Sequence, residues 1–210
     1  LENSVWSDEV CALVPDAWDD ACALARGYAS GDYYGMGMAP AGEGTVGFLW
    51  QFRHTLPRTQ GSEQGVFGVV DVSLVWQEGP GERWLHTAAR EDWLSHGAVP
   101  WAAGGMYTAS CPILARDEQR LYFSGAMHSH GWYVNNQWQV VDKWKQQMIE
   151  EGFGRIGYCW WPKDRFFGFR ADPDGSIDLN LGEITNPCEL VLNLKTASTG
   201  SVRVELVDRE

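Results

Sequence analysis

Long apolar runs and basic residues are both scarce in this chain of 210 residues. The longest apolar stretches, TVGFLWQF and VVDVSLVW, are too short to cross a bilayer and are interrupted by polar residues, so we expect no transmembrane helix. Lys and Arg number 16 against 28 Asp and Glu, which gives a net charge of -12. Nucleic acids and anionic membranes bind clustered basic residues, so we expect neither as a partner and favour a neutral or cationic ligand.

Patterns of cysteine and carboxylate that would hold a metal are also absent. Five cysteines is an odd number with no CxxC spacing, which favours inert core thiols over a disulfide framework or a zinc site. Asp16, Asp19 and Asp20 lack the alternating carboxylates and central Gly of an EF-hand loop, so we predict a solvated acidic turn. We predict no cofactor and no metal. The N-terminus has no signal-peptide pattern, and the sequence leaves the compartment open.

Tryptophan is what the sequence holds in excess. Twelve Trp occur among 210 residues. Flat aromatic faces with a polar handle bind the apolar face of sugar rings as well as they fill cores. The composition therefore favours carbohydrate as the partner.

Eight runs of aromatic and β-branched residues, separated by Gly and Pro, predict an all-β fold. The first group of four runs spans residues 32–41, 45–55, 69–79 and 82–89, and the second spans residues 105–115, 120–129, 154–164 and 166–175. Two groups of four antiparallel strands are typical of β-propeller blades.

Two segments differ from this pattern. NQWQVVDKWKQQMIEEG has apolar residues at helical spacing, which predicts one short helix over about 138–151, inserted into the second blade after a His-Ser-His loop. It could pack on the side of the blade or act as a lid. After residue 184, ELVLNL and SVRVELVD flank a TASTG turn and predict a hairpin that needs a partner sheet.

Several of these motifs, in this order, resemble glycoside hydrolase family 32-like proteins, in which a five-bladed propeller continues into a β-sandwich. The motifs are DYYGMGMAP, GFLWQFRH, DVSLVWQEGPGERW, ARDEQRLYFSGAMHSHG, FFGFRADPDGSI, ELVLNL and SVRVELVD. The resemblance implies that residues 1–180 form about two blades and that 184–210 begin the sandwich. Five blades need about twenty strands, so we expect a C-terminal portion, or a second chain that supplies the missing blades.

The resemblance implies glycosidase chemistry, for which two carboxyl groups act across the scissile bond. Two of the family's acidic residues would lie upstream of Leu1, and the third is replaced here by Tyr34 and Gly35, so none is carried over. Asp32 is the nearest carboxylate and shares a strand face with Tyr34, so we predict it to be catalytic. Its alternative role is to cap the start of the strand.

Other polar and aromatic residues extend the predicted site. Glu91 is the second catalytic candidate, because a neighbouring Arg90 would keep a carboxylate ionised; a solvated salt bridge is the alternative. The remaining predicted contacts bind substrate, and several lie at strand ends, where propellers bind ligands. These predicted substrate-binding residues are Tyr34, Arg53, His54, Arg90, Tyr107, His128, His130 and Trp132.

The His-Ser-His loop has three interpretations. His128 and His130 could be a metal pair, structural polar residues, or sugar contacts beside Trp132, and the sequence offers no third metal ligand nearby. We predict a glycosidase-like protein that acts on a carbohydrate in the axial pocket of a propeller. A non-catalytic carbohydrate-binding or assembly protein is the first alternative, and a metal-dependent hydrolase that uses His128 and His130 is the second.

Overall fold

The computed structural model describes residues 10–57, 63–134, 139–152, 154–166, 168–179 and 182–207. The chain divides into two compact units, Leu1–Gly168 and Phe169–Glu210. Nine strands of the first unit form one curled sheet with the shape of a half-barrel. Among the residues described, no helix combines the length and apolar character needed to cross a bilayer.

The first five strands form an antiparallel group in chain order. Strand β1 (Ser30–Ala41) pairs with β2 (Gly44–His54), and β2 pairs with β3 (Gly68–Gln77). The short strands β4 (Leu85–His86) and β5 (Asp92–Leu94) both pair with the free edge of β3. The order is therefore β1, β2, β3, and then β4 with β5.

The last four strands form a second antiparallel group. Strands β6 (Gly105–Thr108) and β7 (Ile113–Ala115) both pair with β8 (Glu118–Ala126), which pairs on its other edge with β9 (Gly154–Pro162). A single parallel register pair, Val70 with Gly105, joins the two groups.

The prediction of a sheet-dominated fold is confirmed. Seven of the eight predicted runs contain a strand, and β5 was not predicted. The eighth run, 166–175, has no assigned strand among its described residues. The assignment of the two groups to propeller blades stays a prediction.

The described residues of the first unit contain two α-helices, whereas the sequence predicted one. Helix α2 (Asp142–Glu151) occupies the predicted place, and residues 135–138 at the predicted start lie outside the described part. Helix α1 (Ala17–Ala25) forms where we expected an acidic turn. Asp16 accepts hydrogen bonds from the backbone of Trp18 and Asp19, and Asp19 accepts one from the backbone of Asp16, so this acidic segment is a helix-capping box.

The main core lies between the two groups of strands. Phe48 of the first group and Met106 and Leu121 of the second are fully buried. Burying side chains of this size stabilises a fold by about 1.5–3 kcal/mol each. The core therefore holds both groups of strands in one unit.

The second unit has no assigned helix or strand among residues 169–179 and 182–207. The predicted TASTG turn is present, because the Gly200 N–H donates to the Ala197 carbonyl at 2.9 Å. Apolar side chains on both sides of this turn, such as Val191 and Val202, are exposed. The hairpin and the sandwich that it would begin stay predictions.

Candidate functional site

Aromatic and polar side chains gather on one face of β1 and β2, next to residues from β6 and the His-Ser-His loop. Paired residues of antiparallel strands share a face, so the register of Asp32 with Phe52 sets this side of the sheet. Five of its seven members were predicted site residues. We name this group the aromatic surface; it consists of Asp32, Tyr34, Trp50, Phe52, His54, Tyr107 and His130.

A β-bulge aims Tyr34 at this surface. Tyr33 pairs with Gln51 and Gly35 with Trp50, so Tyr34 is an extra residue on β1 without an opposite partner. Its ring stacks on those of Phe52 and Trp50, with centroid distances of 5.6 and 6.5 Å, yet 51% of the residue is exposed. A Cβ at Gly35 would lie 2.8 Å from the Trp50 ring, so the position after Tyr34 has no room for a side chain.

His130 holds the tip of the Tyr34 ring. Its Nδ1 lies 2.6 Å from the backbone carbonyl of Val66, which can only accept, so Nδ1 carries the proton. In the neutral ring, Nε2 is then the acceptor for the Tyr34 hydroxyl at 3.2 Å. Backbone hydrogen bonds between His130 and Gly68 fix the loop that carries the ring. The orientation of Tyr34 is therefore set by residues from both groups of strands.

Asp32 lies at the edge of the same surface. Its carboxylate is 3.7 Å from Nε2 of His54, and its side chain is 33% exposed. The His54 ring is buried against Phe52 at a centroid distance of 4.7 Å. The Asp32 carboxylate is therefore partly open to solvent on the face that carries Tyr34, and His54 is its buried neighbour.

Tyr107 and Trp50 complete the back of the surface. Their rings meet edge to face at 5.7 Å, and the Trp50 indole N–H donates to the Thr108 hydroxyl at 2.9 Å. Burial, followed by the nearby Tyr34, raises the pKa of Tyr107 to about 12, so its hydroxyl stays a neutral donor. The Trp50 N–H already has a partner, and the two rings act as a rigid support for Tyr34.

Arg53 lies on the opposite face of β2 from His54. It forms ion pairs with the fully buried Asp71 and with Asp92. Burial favours the neutral acid, but a hydrogen bond from His96 and the Arg53 charge outweigh it, so the pKa of Asp71 is lowered. Arg53 is thus part of a buried charged network, and its described contacts include none with the aromatic surface.

The network continues to the chain segment before β1. One oxygen of Asp71 lies 2.7 Å from Nδ1 of His96, whose Nε2 lies 3.1 Å from the Tyr28 hydroxyl. Burial, and then the charge of Asp71, raises the pKa of Tyr28, which opposes its use as an anionic nucleophile. These contacts tie the segment before β1 to the loop after β5. We call Tyr28, Arg53, Asp71, Asp92 and His96 the charged cluster.

Arg90 and Glu91 also lie away from the aromatic surface. Arg90 forms ion pairs with Asp16 and Asp19 of the helix cap, and the Tyr33 hydroxyl donates to Asp19 at 2.7 Å. Glu91 is exposed, and a hydrogen bond with Thr87 is the main cause of its lowered pKa. Arg90 therefore holds the carboxylates of the cap, whereas we expected it to hold Glu91.

His128 and His130 make contacts in different places. His128 stacks on Trp132 at a centroid distance of 4.0 Å, and its Nε2 lies 3.0 Å from a carboxylate oxygen of Glu151 in α2. Among the residues that the structure describes, no three His, Cys, Asp or Glu side chains form a group that could hold a metal ion. His128 and Trp132 thus join the loop to α2, and only His130 reaches the aromatic surface.

Two concavities lie elsewhere in the first unit. One of about 400 Å³ is lined by Tyr133, Val140 and residues of α2, and one of about 770 Å³ lies beside Trp160 at the ends of β7, β8 and β9. Neither is lined by a residue of the aromatic surface.

Trp50 and Phe52 belong to the aromatic surface but were not predicted as site residues. The signal was present, because strand alternation puts both on the face of His54, which was predicted. The bulge at Tyr34 had no sequence signal beyond the neighbouring Gly35. Comparison with protein-family models, with curated proteins and with solved structures finds no match to this chain.

Proposed function

We propose that this protein binds a carbohydrate at the aromatic surface. The half-exposed ring of Tyr34, held from behind by Phe52 and at its tip by His130, is the observation that carries the proposal. An aromatic ring fixed in this way can stack on the apolar face of a pyranose or furanose without losing much conformational freedom. The Asp32 carboxylate beside it is an acceptor for sugar hydroxyl groups.

The charge of the protein fits a neutral or cationic sugar. The chain has a net charge of -12, and Asp32 adds a carboxylate at the edge of the surface. An acidic sugar would be repelled, whereas neutral hydroxyl groups can donate to the carboxylate. Neutral oligosaccharides are therefore the substrate class that we propose.

The resemblance to glycoside hydrolase family 32-like proteins gives this surface an architectural context. Each antiparallel group is proposed to be one blade of a β-propeller, and residues 184–210 the start of a β-sandwich. The antiparallel order of the first group, β1, β2, β3 and then β4 with β5, supports this proposal. The aromatic surface would then lie on the innermost strand, β1, of its blade.

The test is binding of the protein to neutral oligosaccharides on a glycan array, followed by calorimetry with the best ligand in solution. Tyr34→Ala should weaken binding by about tenfold or more, because stacking of this kind contributes roughly 0.5–1.5 kcal/mol beyond area burial. Tyr34→Phe keeps the ring and should lose less affinity than Tyr34→Ala. Trp18→Ala, at a 54% exposed position of α1, is the matched control. Equal binding by Tyr34→Ala and the wild type would contradict the proposal.

Hydrolysis is the second candidate function, and Asp32 is the observation that favours it. Glycosidases use two carboxyl groups roughly 5–10 Å apart. Among the described residues, Asp32 is the carboxylate of the aromatic surface, while Asp71 and Asp92 bind Arg53 on the opposite face. A second carboxylate would therefore have to come from other residues or from a second chain.

Release of reducing sugar from the bound oligosaccharide tests this candidate. Asp32→Asn keeps the shape of the side chain and should abolish turnover while glycan binding persists. Full activity of that variant would exclude Asp32 from the mechanism. Binding without turnover by the wild type would leave a non-catalytic carbohydrate-binding protein as the function.

A further inference from the structure

One face of the second group of strands exposes large apolar side chains in a row. Tyr122, Tyr158 and Trp160 are 41%, 51% and 60% exposed, and Ile156 is 79% exposed. The register pairs Tyr122 with Tyr158, so alternate residues of β8 and β9 share this side of the sheet. We name it the outer face; its members are Ile113, Tyr122, Ile156, Tyr158 and Trp160.

The opposite face of the same strands is buried in the main core. Leu121, Phe123 and Trp161 alternate with the exposed residues and pack against side chains of the first group. Strands that are apolar on both faces are typical of sheets covered on both sides. In a sheet with one solvent-exposed face, polar residues on that face normally alternate with the apolar residues of the buried face. The outer face therefore has the composition of a buried face.

The charges near the outer face permit two copies of the chain to approach. Strands β7, β8 and β9 contain Glu118, Arg120 and Arg155 as their charged residues. Arg120 forms an ion pair with Glu118, and its guanidinium carbon lies 5.6 Å from the centre of the Tyr158 ring. The acidic excess behind the net charge of -12 is therefore absent from these strands. These strands therefore add no net negative charge that would repel a second copy.

We propose that the outer face is a two-fold interface with a second copy of this chain. A sheet face packs on an equivalent face at about 10 Å, and a two-fold axis makes the same patch serve both partners. The five exposed side chains contribute on the order of 500 Å². They are the apolar centre of an interface of roughly 800 Å² per partner, the standard size for a stable complex.

The mass of the protein in solution tests this interface, independently of any glycan. Sedimentation over a roughly hundredfold range of micromolar concentration should show wild type at twice the chain mass of 23.5 kDa. Tyr158→Glu and Trp160→Glu each bury a charge at the centre of the interface. Each should raise the dissociation constant of the dimer by about tenfold or more.

Trp18→Glu is the matched control, because it adds the same charge at an exposed Trp of α1 and should leave the dimer intact. Ile156→Lys tests the same interface with a positive charge. Circular dichroism establishes that each variant is folded. A monomeric wild type across this range, or a dimer that persists in all three outer-face variants, would overturn the proposal.

Discussion

The Tyr34 hydroxyl and Nε2 of His130 are 3.2 Å apart, although the two residues are 96 positions apart in the chain. His130→Ala removes this acceptor and leaves the exposed ring less constrained. Neutral hydrogen bonds contribute about 0.5–1.5 kcal/mol, so affinity for the oligosaccharide should fall by roughly two- to tenfold. Calorimetry measures the change, with His128→Ala as the control on the same loop. A similar loss in both variants would mean that the loop as a whole, and not the hydrogen bond, supports Tyr34.

The charged cluster should contribute to stability because its ions are buried. Asp71→Ala leaves Arg53 without one of its carboxylate partners, which should lower the free energy of unfolding by about 3–5 kcal/mol. The double variant, Arg53→Met with Asp71→Leu, should lower the free energy of unfolding by less than Asp71→Ala does, since no unpaired charge remains at this pair. Urea denaturation measures both. A larger loss of stability in the double variant would show that the attraction within the pair exceeds the free-energy cost of burying its two charges.

His86 should make stability depend on pH. Burial, followed by the charge of Arg90, lowers the pKa of His86 below the ordinary value of 6.5. The unfolded chain therefore binds a proton at higher pH than the folded chain. Stability is complete above pH 6.5 and falls as the pH drops towards the pKa of the folded state.

Urea denaturation between about pH 7.5 and pH 5.5 measures this dependence. His86→Gln should flatten the curve across that range, and His128→Gln, a histidine of the loop after β8, is the matched control. An unchanged slope in His86→Gln would exclude this residue as its cause.

The contact between His128 and Glu151 should restrain the end of α2. This contact is the main cause of the lowered pKa of Glu151. Glu151→Gln weakens it, so amide hydrogen exchange within residues 142–151 should become faster while β8 is unaffected. Glu150→Gln on the same helix is the control, because Glu150 contacts Gln146 and not His128. Identical exchange in both variants would mean that α2 is held by other contacts.

The strands were predictable because alternation and Gly or Pro punctuation are local signals. The runs at 45–55 and 69–79 match β2 and β3 to within about two residues, the usual uncertainty of element ends. The short β5 was missed because REDWLS has little alternation. Helix α1 was missed because its carboxylates were interpreted as a solvated acidic turn, although Asp16 and Asp19 have the spacing of a capping box.

Most members of the aromatic surface were predicted, but the contacts between them were predictable only for neighbours on one strand. Asp32 and Tyr34 share the face that alternation indicates. Arg53 and His54 were predicted together, yet successive residues of a strand point to opposite faces, and Arg53 enters the charged cluster. The partners of Arg90 and His130 come from distant parts of the chain, and no local pattern specifies such pairs.

The bulge at Tyr34 makes the length of β1 as important as its composition. Removal of one residue from 33–35 would remove the bulge and restore regular pairing with β2, with Asp32 still opposite Phe52. The unpaired position from which Tyr34 stacks on Phe52 and Trp50 would then be lost, although Asp32 and the residues of β2 are unchanged. Insertions and deletions in this segment would therefore be a route by which related chains gain or lose the ligand, separate from any substitution in the aromatic surface.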